Sequence, residues 1–160
     1  MVCFVGKGTG SLNICAECMN LQETYPLLDT IVYEAEDVTA SKTYNTEIND
    51  VDFYMEFTVC PPSNSAVSYV KLGDSSASLD IGDLFGNANC GSVVNGTFYG
   101  KAIPTETDTK VTVRRVGTNL TLTVGDSTYN VTGMNVTCST LKSITINNSG
   151  VVKGFKIYPI

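Results

Sequence analysis

Between residues 109 and 132 apolar and polar side chains alternate with a period of two, interrupted twice by glycine, and that pattern restricts the chain to extended structure. Val111, Val113 and Val116 lead into Gly117-Thr118, after which Leu120, Leu122 and Val124 alternate with threonines until Gly125-Asp126. Successive side chains of a strand point to opposite faces, so each segment has one apolar and one threonine-rich side. Links this short join antiparallel neighbours in a meander. A strand with one apolar face must cover it with a second layer.

The same reading extends along the chain. Candidate strands cover 51–59, 66–72, 77–81, 97–102, 109–116, 119–125, 127–132, 140–147 and 151–158, with 30–34 as an opening strand. They are rich in Val, Thr, Ile, Tyr and Phe, which suit a pleated, half-buried surface. The one candidate helical turn is Asp80–Phe85. A chain of 160 residues makes one ordinary domain, and this many short strands predict an all-β, two-sheet antiparallel sandwich. Residues 1–29 carry three of the six cysteines and no sustained alternation. The predicted division is therefore an irregular N-terminal arm over 1–25 and the sandwich over 26–160, the alternative being that Phe4, Leu12, Ile14, Met19 and Leu21 close one end of the sandwich.

Charge and missing residue types narrow the function. Sixteen acidic against ten basic residues give a net charge of −6, the wrong sign for nucleic acid or an anionic membrane surface. The chain has no His and no Trp. Imidazole-based catalysis and His-ligated zinc are excluded, and the best sugar-stacking ring is absent. No apolar run approaches the roughly 20 residues of a membrane-spanning helix. The start, Met1 to Gly8, lacks a continuous apolar stretch of the signal-peptide kind, which predicts synthesis in the cytoplasm with most thiols reduced and buried.

Four groups of residues are candidates for chemistry. In the acidic strand, Asp50, Asp52, Tyr54 and Glu56 share one face and Val51, Phe53, Met55 and Phe57 the other. Paired carboxylates serve glycoside hydrolysis at separations up to about 9.5 Å; Asp50 and Asp52 are spaced for about 7 Å but lack an acid partner, and Asp52 and Glu56 are spaced for about 13 Å. That face is read as a solvated surface over an apolar one. Asp74, Asp80 and Asp83, with Asn87 and Asn89, form the oxygen-rich stretch that calcium would take, and no other cofactor is indicated. Cys15-Ala16-Glu17-Cys18 is a single hook which, with Cys3, would staple the arm through zinc or a disulfide. Tyr54, Tyr69, Tyr99 and Tyr129 are the strand tyrosines available to stack on a sugar. Sequons occur at Asn95, Asn119, Asn130, Asn135 and Asn147, and Arg114 and Arg115 point to opposite faces.

The run from Lys110 to Asp126, the strand Leu141-Lys-Ser-Ile-Thr-Ile146 and the closing Gly154-Phe-Lys-Ile-Tyr-Pro159 together resemble the concanavalin A-like (laminin-G-like) jelly-roll superfamily. The resemblance implies that the final strand returns to pair near the first, and that the domain binds carbohydrate or protein. The sequence departs from the glucanase branch, because Asp50-x-Asp52-x-Tyr54-x-Glu56 stands where that branch has Glu-x-Asp-x-(x)-Glu, and the calcium site of the lectin branch has no counterpart. Small domains of this kind with an irregular arm look like appendages of tailed-virus particles: head fibres, decoration proteins or tail adhesins. The expectation is a non-enzymatic virion module whose arm docks on capsid or tail proteins. Its head would face outward toward a host-surface glycan, in a symmetric homo-oligomer, a trimer being expected. The alternatives are a stand-alone carbohydrate-binding lectin domain and a glycoside hydrolase using Asp50, Asp52 or Glu56.

Overall fold

The computed structural model describes residues 33–35, 37–47, 52–73, 78–138, 140–147 and 150–160. The proposed arm, with Cys3, Cys15 and Cys18, lies outside the described residues, as do Asp50 and Asp74. The described residues form twelve strands: β1 (Tyr33–Ala35), β2 (Lys42–Glu47), β3 (Phe53–Cys60), β4 (Ser68–Gly73), β5 (Ser78–Asp83), β6 (Asn89–Val94), β7 (Thr97–Ala102), β8 (Thr109–Val116), β9 (Asn119–Val124), β10 (Ser127–Val131), β11 (Thr140–Ile146) and β12 (Val151–Pro159). Ten were expected. The polar β2 and the glycine-containing β6 were not, and the helical turn expected over Asp80–Phe85 is instead strand through Asp83.

Two six-stranded antiparallel sheets result. Sheet A runs β1-β12-β3-β8-β9-β10 and sheet B runs β2-β11-β4-β5-β6-β7. The all-β jelly-roll sandwich is thus the observed architecture. The 109–132 meander is β8-β9-β10, and the closing strand β12 pairs with β1 on one side and β3 on the other.

Alternation places the core. Phe53, Met55, Phe57 and Val59 of β3, Val111 and Val113 of β8, and Leu120, Leu122 and Val124 of β9 are all buried on the inner face of sheet A. Val70, Leu72, Leu79, Ile81, Leu141 and Ile144 meet them from sheet B. Each such side chain contributes about 1.5 to 3 kcal/mol on burial, which fixes the register, since a slip of one residue would turn the apolar set outward.

Sheet B carries an unusual outer row. Tyr69, Gly82, Gly91 and Gly100 are direct cross-strand neighbours on β4, β5, β6 and β7. A Cβ on Gly82 would lie 2.8 Å from the Tyr69 Cα, and one on Gly91 2.6 Å from the Gly100 Cα. Backbone from the adjacent strand occupies the space that a side chain would need. The Phe98 ring leans over the row, where it would lie 2.9 Å from a Cβ on Gly91. The half-exposed Phe85 meets Phe98 edge-on at 5.3 Å.

Candidate functional site

The outer face of sheet A holds the site, and an irregularity in β12 makes it. Lys153 pairs with Thr58 and Lys156 with Glu56, so Gly154 and Phe155 together stand opposite Phe57. This is a β-bulge, a feature that re-aims side chains and bends a strand. Gly154 takes the extra position with φ of 56°, a left-handed conformation that a Cβ disfavours. Phe155 then points inward, fully buried, 6.1 Å from the Phe57 ring.

At the bulge the surface opens into a cleft of about 350 Å³ lined by Asp37, Glu56, Asp108, Lys110, Lys153, Thr58 and Gly154, with Phe57 beneath. Its charges are matched locally. Lys110 Nζ lies 3.0 Å from Glu56 Oε2, and Lys153 Nζ donates to both oxygens of Asp108 at 2.8 and 2.9 Å. The hydrogen bond to Glu56 raises the Lys110 pKa, and those from Lys153 hold the Asp108 carboxyl below its ordinary value. Burial pushes the Cys60 thiol at the end of β3 upward, and hydrogen bonding to the Asp108 carboxylate and its charge add to that. Three carboxylates against two ammonium groups leave one net negative charge in the cleft.

An aromatic pair extends this face. The Tyr54 and Tyr158 rings, cross-strand partners on β3 and β12, have centroids 6.3 Å apart. The Tyr54 hydroxyl lies 3.4 Å from Glu56 Oε2. Its pKa is raised by burial first and by the Glu56 charge second, with Lys110 opposing. Arg114, exposed, is the next cross-strand neighbour of Tyr54.

The expected sugar-stacking tyrosines do not converge. Tyr54 is on the outer face of sheet A and Tyr69 on that of sheet B, while Tyr99 and Tyr129 pack against the core from the edge strands β7 and β10. The ion pair from Lys101 to Asp126 spans the sandwich at the same edge. Nor does the calcium cluster form. Asp80 and Asp83 are three residues apart on β5 and so face opposite sides, Asp80 outward beside Lys71 at 3.8 Å and Asp83 into the core. Among the described residues no group of three or more acidic or cysteine side chains is placed to hold a metal ion. Cys60 and Cys90 are free thiols, Cys138 is buried, and all five sequon asparagines are exposed.

The acidic strand is arranged as its period predicts, with Asp52, Tyr54 and Glu56 outward. Asp52 serves the fold: its Oδ1 accepts a hydrogen bond from the Gly117 amide at 2.7 Å, holding the β8–β9 turn. Asp52→Ala is expected to lower stability by about 1 kcal/mol in urea unfolding while leaving ligand binding at the cleft unchanged.

Sequence reasoning missed Asp37, Asp108, Lys110, Lys153 and Tyr158 as site residues. Their one signal was the glycine breaking the alternation of the closing phrase, between Lys153 and Phe155.

No family profile matches the chain, and no curated protein sequence does. Solved structures share the fold at low identity. The galectin LEC-6 of Caenorhabditis elegans superposes with a TM-score of 0.54 at 11% identity, over 78% of this chain and 94% of the galectin. The carbohydrate-binding module CBM66 of Bacillus subtilis gives 0.52 at 9% identity, over 81% of this chain and 97% of the module. A fructosyltransferase from A. japonicus gives 0.61 at 10% identity over 82% of this chain, which spans only 26% of that enzyme. The shared fold is the two-sheet antiparallel jelly-roll sandwich. Lectin, carbohydrate-binding module and enzyme all occur among its structural neighbours.

Proposed function

We propose that this domain is a non-catalytic, lectin-like module that binds a neutral glycan in the cleft at the β12 bulge. The carrying observation is the cleft itself, where carboxylates and ammonium groups already paired to one another line a groove beside the Tyr54–Tyr158 pair. Such groups accept from and donate to sugar hydroxyls through charge-assisted bonds, and the partly exposed Tyr54, its neighbour Tyr158 being buried, offers a ring edge to the apolar side of a sugar. The net charge of −6 disfavours an anionic glycan.

Hydrolysis is a poorer fit. A general acid must hold a proton near neutral pH, but Asp108 is pulled toward ionisation and Glu56 lies against an ammonium group. Asp52, the other carboxylate on the strand, is engaged with Gly117. Two structural neighbours of nearly matching length are a lectin and a carbohydrate-binding module, which supports the binding reading. In the wider setting we place the domain as the outward-facing, adhesive part of a virion structural protein, docked through the N-terminal segment as a homo-oligomer, with a trimer expected.

The test is a neutral-oligosaccharide array followed by titration of the best-bound glycan. Glu56→Gln and Lys153→Met are each expected to weaken binding about 10-fold or more with the fold intact by circular dichroism. Unchanged affinity in both variants would remove the cleft from the site. Turnover of a glycan that is lost in Glu56→Gln would show an enzyme instead.

A further inference from the structure

Five buried side-chain oxygens lack a hydrogen-bond partner among the described residues, and four of them lie together: Ser68 Oγ, both carboxylate oxygens of Asp83, and Ser92 Oγ. Asp83 ends the inward row of β5 after Leu79 and Ile81. Ser68 of β4 stands directly opposite it on one side and Cys90 of β6 on the other, with Ser92 one step along β6. All four residues are 0% exposed. Orphaned buried polar groups are rare, and each calls for an occupant.

Among the described residues the surroundings supply no cation. Cys90 faces Asp83 with a thiol that burial pushes up to about 12, so it is neutral. On β7 the Lys101 ammonium, beyond Cys90, is turned to Asp126. From sheet A the inward side chains at this end are Val59, Val111, Val124 and Val152, all buried, together with Thr109. The inward Arg115 lies at the far end of β8 and donates to the Gly117 carbonyl. One carboxylate and two hydroxyls fall short of the six to eight oxygens that calcium takes. The four oxygens make no hydrogen bond to one another, and a protonated carboxyl, being uncharged, is the form that a buried site without a facing cation favours, with a donor to offer where the carboxylate had none.

We propose that the Ser68–Asp83–Ser92 row is a proton-binding site that tightens the β5–β6 end of the sandwich when occupied and loosens it when emptied. The segment it governs is the 84–88 connection, which carries the exposed Phe85. That connection is tied down by Leu84 N to Asn89 O at 3.1 Å and Ile103 N to Ala88 O at 2.7 Å. Burial raises the Asp83 pKa to about 6, while the Asn89 amide pulls the other way without making a well-formed bond. Because the folded value lies above the unfolded one, the native state holds more protons, and the contribution is full below pH about 4 and lost as pH rises through about 6. Asp108 and Asp126 are lowered, so their contributions are lost only as pH falls through the acid range below about 4.

The experiment compares the full chain with Asp83→Asn, and with Asp80→Asn as an outward-facing control, by urea unfolding at pH 4.5, 6.0 and 7.5. For the native chain the folding constant is expected to be about 25-fold larger at pH 4.5 than at 7.5, about 2 kcal/mol. The Leu84 and Ile103 amides should gain hydrogen-exchange protection over the same interval. Asp83→Asn should abolish the rise and Asp80→Asn should keep it. A rise that survives Asp83→Asn, or no rise in the native chain, overturns the proposal. Should Asp83→Asn not fold, carbon-13 titration of the Asp83 carboxyl in the native chain decides. A midpoint near 6 supports the site, and an ordinary one near 4 overturns it.

Discussion

Gly91→Ala is expected to lower stability by about 3 kcal/mol, the upper end of overpacking costs, with a fall in Tm of roughly 10 °C for a chain of this size. The added methyl would be driven into the Tyr99 carbonyl oxygen, 2.6 Å from the Gly100 Cα, and against the Phe98 ring. A flexible side chain can step aside at little cost, but two of these three obstacles are backbone of the paired strand. Relief requires β6 and β7 to part, with loss of ladder hydrogen bonds and of the cover that Phe98 gives to Phe85. Gly96→Asn is the matched control. Gly96 has a positive φ of 77° with nothing near a Cβ, so it should cost about 1 kcal/mol or less, Asn being tolerated in that conformation. Equal urea midpoints for Gly91→Ala and the native chain would refute the glycine-row account.

That row also explains what the sequence conceals. In β6, Asn89-Cys-Gly-Ser-Val-Val94, a glycine is covered on the outer face by Phe98 and a serine is buried on the inner, so apolar and polar residues do not alternate. Its strand character comes from partners. The local clue was Asn95-Gly96, both with positive φ, a two-residue hairpin link. The polar β2 is likewise held by pairing with β11 rather than by an apolar face of its own. Ending the fifth strand at Ile81 made Asp83 a loop acid and a calcium candidate. Two more residues of strand carry it inward on the same face as Leu79 and Ile81, reversing its meaning.

By contrast, β3, β8, β9, β10 and β12 were legible because each has one face in the core and one in water, the condition under which period two survives in sequence. The outward set Asp52, Tyr54 and Glu56 followed from the same rule. The rest of the site did not, because Asp37, Asp108, Lys110 and Lys153 come from separate parts of the chain and meet only when β12 bulges against β3. The calcium candidates Asp80 and Asp83, on opposite faces of one strand, and the sugar-stacking tyrosines, spread over both sheets, show the converse. Period assigns a face and leaves convergence to topology.

Deleting Gly154 is expected to leave the domain folded and to abolish glycan binding. With that residue removed, Val152, Lys153, Phe155, Lys156 and Ile157 read in, out, in, out, in, and Phe155 falls directly opposite Phe57, between the existing Lys153–Thr58 and Lys156–Glu56 pairs. The core therefore keeps its contents, and the extra residue that costs the sheet a regular ladder is gone. Tm should change by only a few degrees, within the roughly 1 kcal/mol that relieving or retaining a bulge involves. The cleft has no such compensation. Without the bulge, β12 lies flat against β3, Lys153 and Gly154 no longer open the groove, and affinity for the best-bound glycan should fall by at least about 10-fold, the loss of one charge-assisted contact or more. Gly154→Val separates shape from strain, since it keeps the extra residue and adds about 1 to 2 kcal/mol of left-handed strain. It should lower stability more than the deletion does while retaining more binding. A deletion variant that unfolds would refute the register argument, and one that folds and binds like the native chain would move the site elsewhere. The two readouts divide the roles of this one glycine, because stability follows the alternation of β12 and binding follows its interruption.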